Sequence, residues 1–245
     1  MVLAGQYLER SVVVGELDAL FHRGTRDPPC AIAAPHPALG GSMLSPVIAE
    51  LAWALTRAGH PTLRFDYRGV GASRGVSGQR AGSGRIDDLR SEVADLRQIC
   101  DHLLATTGMS AACAVGYSFG AAVALEAAED PRIARLVLIA PPTGLYDFAA
   151  TAKLTKPLLV VCAQHDRYCD RGALKLPEGA TLEVIAHADH FFARGLTELG
   201  KTVASWLRGE RPELVAPEDA ASTGTRLVEL DPGAGAPLEL DVDPE

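Results

Sequence analysis

Three side chains in this sequence are of the types that acyl-transfer chemistry requires, and each follows a short apolar run. Ser118 stands in Gly116-Tyr117-Ser118-Phe119-Gly120, between the apolar residues 111–115 and the small residues Ala121, Ala122, Val123 and Ala124. Asp166 stands in Gln164-His165-Asp166-Arg167, after residues 158–163. His190 stands in His187-Ala188-Asp189-His190-Phe191-Phe192, after residues 181–186. A serine hydroxyl becomes a nucleophile when a base lies within hydrogen-bond reach and a third group orients that base. A sharp turn that holds the serine clear of the backbone strains its φ/ψ, and flanking glycines let strand and helix approach without a Cβ clash. In this reading His190 takes the Ser118 proton and returns it to the leaving group. Asp166 holds the imidazole tautomer and stabilises the imidazolium. Blander roles exist: serine is a common helix N-cap and aspartate a common turn residue. Asp170 and His187 are neighbouring rivals; His190 is preferred because Phe191 and Phe192 are placed to pack behind its loop.

Acyl transfer also needs backbone N–H donors for the developing oxyanion. Phe119, at the start of a helix, supplies one. The other is expected from the loop Pro35-His36-Pro37-Ala38-Leu39-Gly40-Gly41, with Ala38 favoured and Leu39 the alternative. His36, Tyr117, Leu145 and Tyr146 are the candidate substrate contacts, with Phe148 beside the last two. A metal cluster of His165, Asp166, His187 and His190 is chemically conceivable, but the serine–histidine–aspartate reading already accounts for two of the four. Gly69-x-Gly71-x-x-x-Gly75 imitates a dinucleotide fingerprint. Its spacing is off by one, and no acidic residue closes a strand about 20 residues later. No metal and no cofactor are therefore expected, and the partner is a small-molecule acyl substrate.

The elements that position these residues alternate along the chain. Strands are expected at residues 8–14, 16–22, 30–34, 62–67, 111–115, 134–140, 157–163 and 181–186. Helices are expected at 46–58, 86–104, after Gly120, and at 192–207, each with apolar residues at helical spacing. Residues 76–85, rich in Gly and Ser, read as mobile. Strands alternating with helices call for an α/β fold with a mostly parallel sheet covered on both faces. In such sheets the site lies beyond the carboxyl ends of the strands, where Ser118, Asp166 and His190 all fall.

Composition bounds the rest. The chain has 245 residues, 47% of them hydrophobic and 22% charged, enough to bury a sizeable core. No apolar run of about 18 residues predicts a membrane span, and the first residues lack the pattern of a secretory signal. Five scattered cysteines (Cys30, Cys100, Cys113, Cys162, Cys169) form no Cys-x-x-Cys or zinc spacing. All but Cys169 lie in apolar patterns and read as core, which together suggests a reducing, cytoplasmic setting. The net charge of −8 belongs to residues 209–245, which hold ten acids and two bases; residues 1–208 are balanced. A neutral body offers no electrostatic footprint for nucleic acid. The expected organisation is a domain over 1–208 and a Pro-containing acidic tail over 209–245, read as mostly disordered.

Four stretches carry a family resemblance: residues 36–43 (His-Pro-Ala-Leu-Gly-Gly-Ser-Met), 64–73 (Arg-Phe-Asp-Tyr-Arg-Gly-Val-Gly-Ala-Ser), 116–121 (Gly-Tyr-Ser-Phe-Gly-Ala) and 188–192 (Ala-Asp-His-Phe-Phe). Together they resemble the small, lidless bacterial serine hydrolases of the α/β-hydrolase superfamily, over roughly residues 30–208. The order Ser118, Asp166, His190 is the order of that superfamily. The resemblance implies an α/β-hydrolase fold, a triad of Ser118, Asp166 and His190, and an oxyanion hole from Phe119 and the 36–40 loop. It implies a structural role for the 68–75 loop. Ala163 stands where the family usually has Gly, and the acidic tail lies outside the resemblance. Lids in these hydrolases usually follow the sixth strand, where only residues 141–156 intervene here. An open, shallow site for small ester or thioester substrates is expected.

Overall fold

Alternate residues along the central strands feed two separate cores, which is why four helices can cover one sheet. The computed structural model describes residues 9–77 and 88–210. β1 (Arg10–Val14) and β2 (Leu17–His22) form a hairpin that turns at Gly15, where φ is +61°. Then follow β3 (Cys30–Ala33), α1 (Pro46–Arg57), β4 (Thr62–Phe65), α2 (Arg90–Thr107), β5 (Ala112–Tyr117), α3 (Phe119–Glu126), β6 (Ile133–Ile139), β7 (Leu158–Ala163), β8 (Thr181–Ile185) and α4 (Leu196–Leu207). All eight strands form one sheet in the order β1-β2-β4-β3-β5-β6-β7-β8. The β1–β2 and β2–β4 pairs are antiparallel and the remaining pairs parallel.

Successive side chains of a strand point to opposite faces. Ile32, Val115, Val137, Ile139 and Val161 face α1 and α4, joining Ile48, Leu51, Leu55, Leu199 and Val203. Ala31, Ala33, Ala114, Leu138 and Val160 face α2 and α3, joining Leu96, Ile99, Leu103, Phe119 and Val123. Apolar burial on both faces accounts for the continuous apolar runs of β5 and β7. Alanine is concentrated on the α3 side, and this lets the helix that follows Ser118 lie close to the sheet.

Several boundaries differ from expectation, two of them beside left-handed residues. α4 begins at Leu196 rather than 192, because Phe192 (φ +52°) and Gly195 (φ +79°) hold left-handed conformations that no helix continues through. α2 runs on to Thr107 and is ended by Gly108 at φ +72°, a left-handed C-cap. The β6–β7 connection carries only the short 3-10 turn Ala149–Lys153, so no cap domain covers the site. Residues 78–85 of the stretch read as mobile, the expected helix start at Ile86, and residues 211–245 of the acidic tail lie outside the described residues. Among the described residues no helix is long and apolar enough to cross a membrane.

Candidate active site

β5 delivers Ser118 into a tight turn before α3. The backbone of Ser118 sits at φ +53°, ψ −117°, a sparsely populated conformation for a residue with a Cβ. It is fastened by the Ser118 N–H donating to the Ile139 carbonyl at 2.8 Å and the Ala121 N–H donating to the Ser118 carbonyl at 2.9 Å. The flanking glycines are required by close approach. A Cβ on Gly116 would lie 2.0 Å from the Gly120 carbonyl oxygen, and one on Gly120 2.3 Å from that of Ala33.

The loops after β7 and β8 bring the other two residues to the same point. Ser118 Oγ lies 2.9 Å from His190 Nε2. His190 Nδ1 lies 2.8 Å from Asp166 Oδ2 and 3.0 Å from Oδ1. Asp166 Oδ1 also accepts the N–H groups of Tyr168 (2.8 Å) and Cys169 (3.2 Å). The Asp166 side chain is 1% exposed and that of His190 10%. The Tyr117 hydroxyl donates to the His190 carbonyl at 3.0 Å, and burial raises the tyrosine's pKa. The rival residues do other work. Asp170 caps the turn Arg171–Ala173 through the Gly172 N–H. His187 is exposed with φ +57°, its N–H donating to Gln164. His165 and His187 are not part of the Ser118–His190–Asp166 chain, and among the described residues no three His, Cys, Asp or Glu side chains gather around a metal-sized site.

The candidate oxyanion donors divide. The Phe119 N–H opens α3 and has no acceptor among the described residues. The Ala38 N–H donates to His36 Nδ1 at 3.1 Å, and the Leu39 N–H to the His36 carbonyl at 3.1 Å. Both therefore close the 3-10 turn Pro37–Leu39 in this structure. Burial lowers the His36 pKa, which favours the neutral ring whose Nδ1 accepts. The turn is moored from β4: Asp66 Oδ1 takes the Met43 N–H at 2.6 Å, and an Arg64 N–H donates to the Met43 carbonyl at 2.7 Å. The glycine loop that imitates a nucleotide fingerprint is a fastening of this region. The Ser73 hydroxyl donates to the Asp66 carbonyl, and the Arg74 N–H to the Glu16 carbonyl.

A cavity of about 450 Å³ opens over Ser118 and His190. His36, Tyr117, Leu145 and Tyr146 all line it, as do Leu39, Val47, Phe119, Tyr168 and Phe191. Burial pushes the Tyr146 hydroxyl up to about 12. Two placements depart from the sequence reading. Phe148 is core and does not reach the cavity. Phe191 does not pack behind the loop. It is 67% exposed at the cavity mouth and meets the His190 ring edge-to-face at 5.4 Å, while Phe192 alone is buried. Tyr168 also meets the His190 ring, at 4.8 Å. Sequence reasoning missed Tyr168 and Phe191 as lining residues, although each lies one or two positions from a predicted site residue.

A family model described as serine aminopeptidase, S33, matches residues 39–147. An α/β serine hydrolase homologue from Coxiella burnetii is 28% identical, aligned over 82% of this chain and 97% of that one, with a TM-score of 0.69. A lidless α/β serine hydrolase from Xanthomonas campestris is 27% identical over 84% of this chain and 95% of that one, with a TM-score of 0.68. The chain has the α/β-hydrolase fold. An esterase from Pyrococcus furiosus, 16% identical over 84% of this chain and 94% of that one (TM-score 0.66), shares this fold. The lidless relative agrees with the short β6–β7 connection found here.

Proposed function

We propose that this α/β-hydrolase cleaves small, uncharged ester or thioester bonds through an acyl-serine intermediate. The unbroken hydrogen-bond chain from Ser118 through His190 to Asp166 carries the reading. Neutral His190 donates its Nδ1–H to Asp166 and accepts the Ser118 hydroxyl proton at Nε2 as Oγ attacks the carbonyl carbon. The oxyanion takes the Phe119 N–H, which has no acceptor among the described residues. The second donor is the Ala38 N–H, which exchanges the His36 ring nitrogen for the charged oxygen, a stronger acceptor. His190 then protonates the departing alcohol or thiol, and water, activated by the same imidazole, releases the acid.

The wall supports the substrate class. Among the described residues, no Asp, Glu, Lys or Arg side chain lines the cavity. An aminopeptidase must hold a substrate ammonium group, and burying one without a carboxylate is costly. The cavity's size and open mouth favour short acyl groups. Purified protein assayed on p-nitrophenyl acetate and butyrate, p-nitrophenyl palmitate, and an aminoacyl p-nitroanilide tests this. The short neutral esters are expected to exceed the anilide in kcat/KM by at least about 100-fold. Preference for the anilide, or for the long-chain ester, overturns the assignment.

A further inference from the structure

Cys162, in β7, and Cys169, in the loop that supplies Asp166, place their sulfurs 3.3 Å apart, and both are free thiols. The sequence reading set Cys169 apart from the buried cysteines, yet it is buried, 8% exposed, between the exposed residues Tyr168 and Asp170. Its backbone N–H is one of the two that hold Asp166 Oδ1. Its other neighbour in that task, Tyr168, packs on the His190 ring.

We propose that Cys162 and Cys169 form a disulfide site, closed by a hydroperoxide oxidant, whose closure slows the hydrolase. A disulfide needs sulfurs about 2.0 Å apart, so closing draws the sulfurs together by roughly 1.3 Å. Cys169 is on the surface loop and Cys162 is held in β7, paired with Val184 of β8, so the loop is the part that moves. The thiol bond to Cys162, and then burial, raise the Cys169 pKa well above the ordinary thiol value. Oxidation therefore starts when the loop opens and the thiol regains thiolate character. In the first step Cys169–SH and the hydroperoxide give Cys169–SOH and water (or the alcohol). In the second, Cys162–SH displaces that hydroxyl, forming the S–S bond and releasing water. Two electrons pass from the thiols to the peroxide. Cys30 and Cys113 make the contrast: they face each other on neighbouring strands but are wholly buried under helices, with no surface loop to open.

Formation of the bond does not depend on the proposed function, but its effect on turnover rests on that reading. The full-length protein is treated with hydrogen peroxide, split into two portions, and assayed before and after dithiothreitol. Trypsin cuts after Arg167, between the two cysteines, so the disulfide joins two peptides that are separate in the reduced protein. The expected result is that linkage, a loss of two hydrogens in intact mass, and a fall in kcat of about 10-fold or more that dithiothreitol reverses. Each of Cys162→Ala and Cys169→Ser, compared with its own untreated sample, is expected to lose the linkage and the peroxide effect. Unlinked peptides from treated wild type, or linked peptides with kcat unchanged, overturn the proposal. Reduced wild type that fails to label at Ser118 with a fluorophosphonate instead refutes the hydrolase reading, and the peptide map still reports on the disulfide.

Discussion

Ser118 holds φ +53°, ψ −117° with its carbonyl and N–H both bonded to neighbouring backbone. Such a conformation costs on the order of 1–3 kcal/mol, and it persists because the glycine contacts and the two backbone bonds over-determine the turn. The strain presents Oγ to His190 rather than to the helix N–H groups that an N-cap serine would bond; Ser118 makes no side-chain cap bond. Asp166 is equally specific. Its two oxygens meet one ring nitrogen and two loop N–H groups, so it orients the ring and organises the loop together. Asp166→Asn offers an amide where Nδ1–H needs an acceptor, and the wrong tautomer lowers kcat by about 10³–10⁴-fold with KM little changed. Steady-state kinetics on p-nitrophenyl acetate measure this; a drop of less than 10-fold, on the order of a general-base effect left intact, contradicts the role.

Where the elements meet, the sequence was legible to different depths. The strand–turn–helix around Ser118 was readable because its signals are local: an apolar run, two glycines two residues from a serine, then alanines. The α4 start was not, because the five residues between His190 and Leu196 are bent by left-handed backbone at Phe192 and Gly195, and nothing in an apolar pattern announces a Phe in that conformation. The same turn decided which of two adjacent phenylalanines entered the core. The His36 ring accepting the Ala38 N–H was hidden for another reason: a side chain bonding its own loop leaves no periodicity. The junction of α3 and β6 yields a pH prediction. Arg132, through its side chain first, holds the Asp130 carboxyl down to about 2, below the ordinary carboxylate value of about 3.9. A depressed carboxyl contributes stability that is complete above its unfolded value and is lost as pH falls through the folded one. Asp130→Asn is therefore expected to lower the urea midpoint at pH 7, with the deficit shrinking between about pH 4 and 2. A deficit that stays constant over that range would show that charge pairing is not its cause.

Across the whole molecule, everything the proposed chemistry uses is carried at the carboxyl ends of parallel strands: the 36–41 turn after β3, Ser118 after β5, Asp166 after β7 and His190 after β8. That convergence is what the sequence order alone implied, since a parallel α/β sheet sends those ends to one edge. The wall of the cavity was only half legible. Leu145 and Tyr146 follow from the short β6–β7 connection, whereas Tyr168 and Phe191 reach the mouth through loop geometry. Both rings meet the His190 imidazole, and Cys169 follows Tyr168 in the Asp166 loop, so one short loop carries the orienting carboxylate, part of the substrate wall and one thiol of the Cys162–Cys169 pair. The central claim is that this edge activates Ser118. It is tested most directly by fluorophosphonate labelling of folded wild type, Ser118→Ala and His190→Ala, with the labelled peptide identified by mass spectrometry. Labelling at Ser118 in wild type, absent in the first variant and slowed by at least about 10³-fold in the second, is the expected result. Folded wild type that does not label, or labels at the same rate without His190, contradicts it.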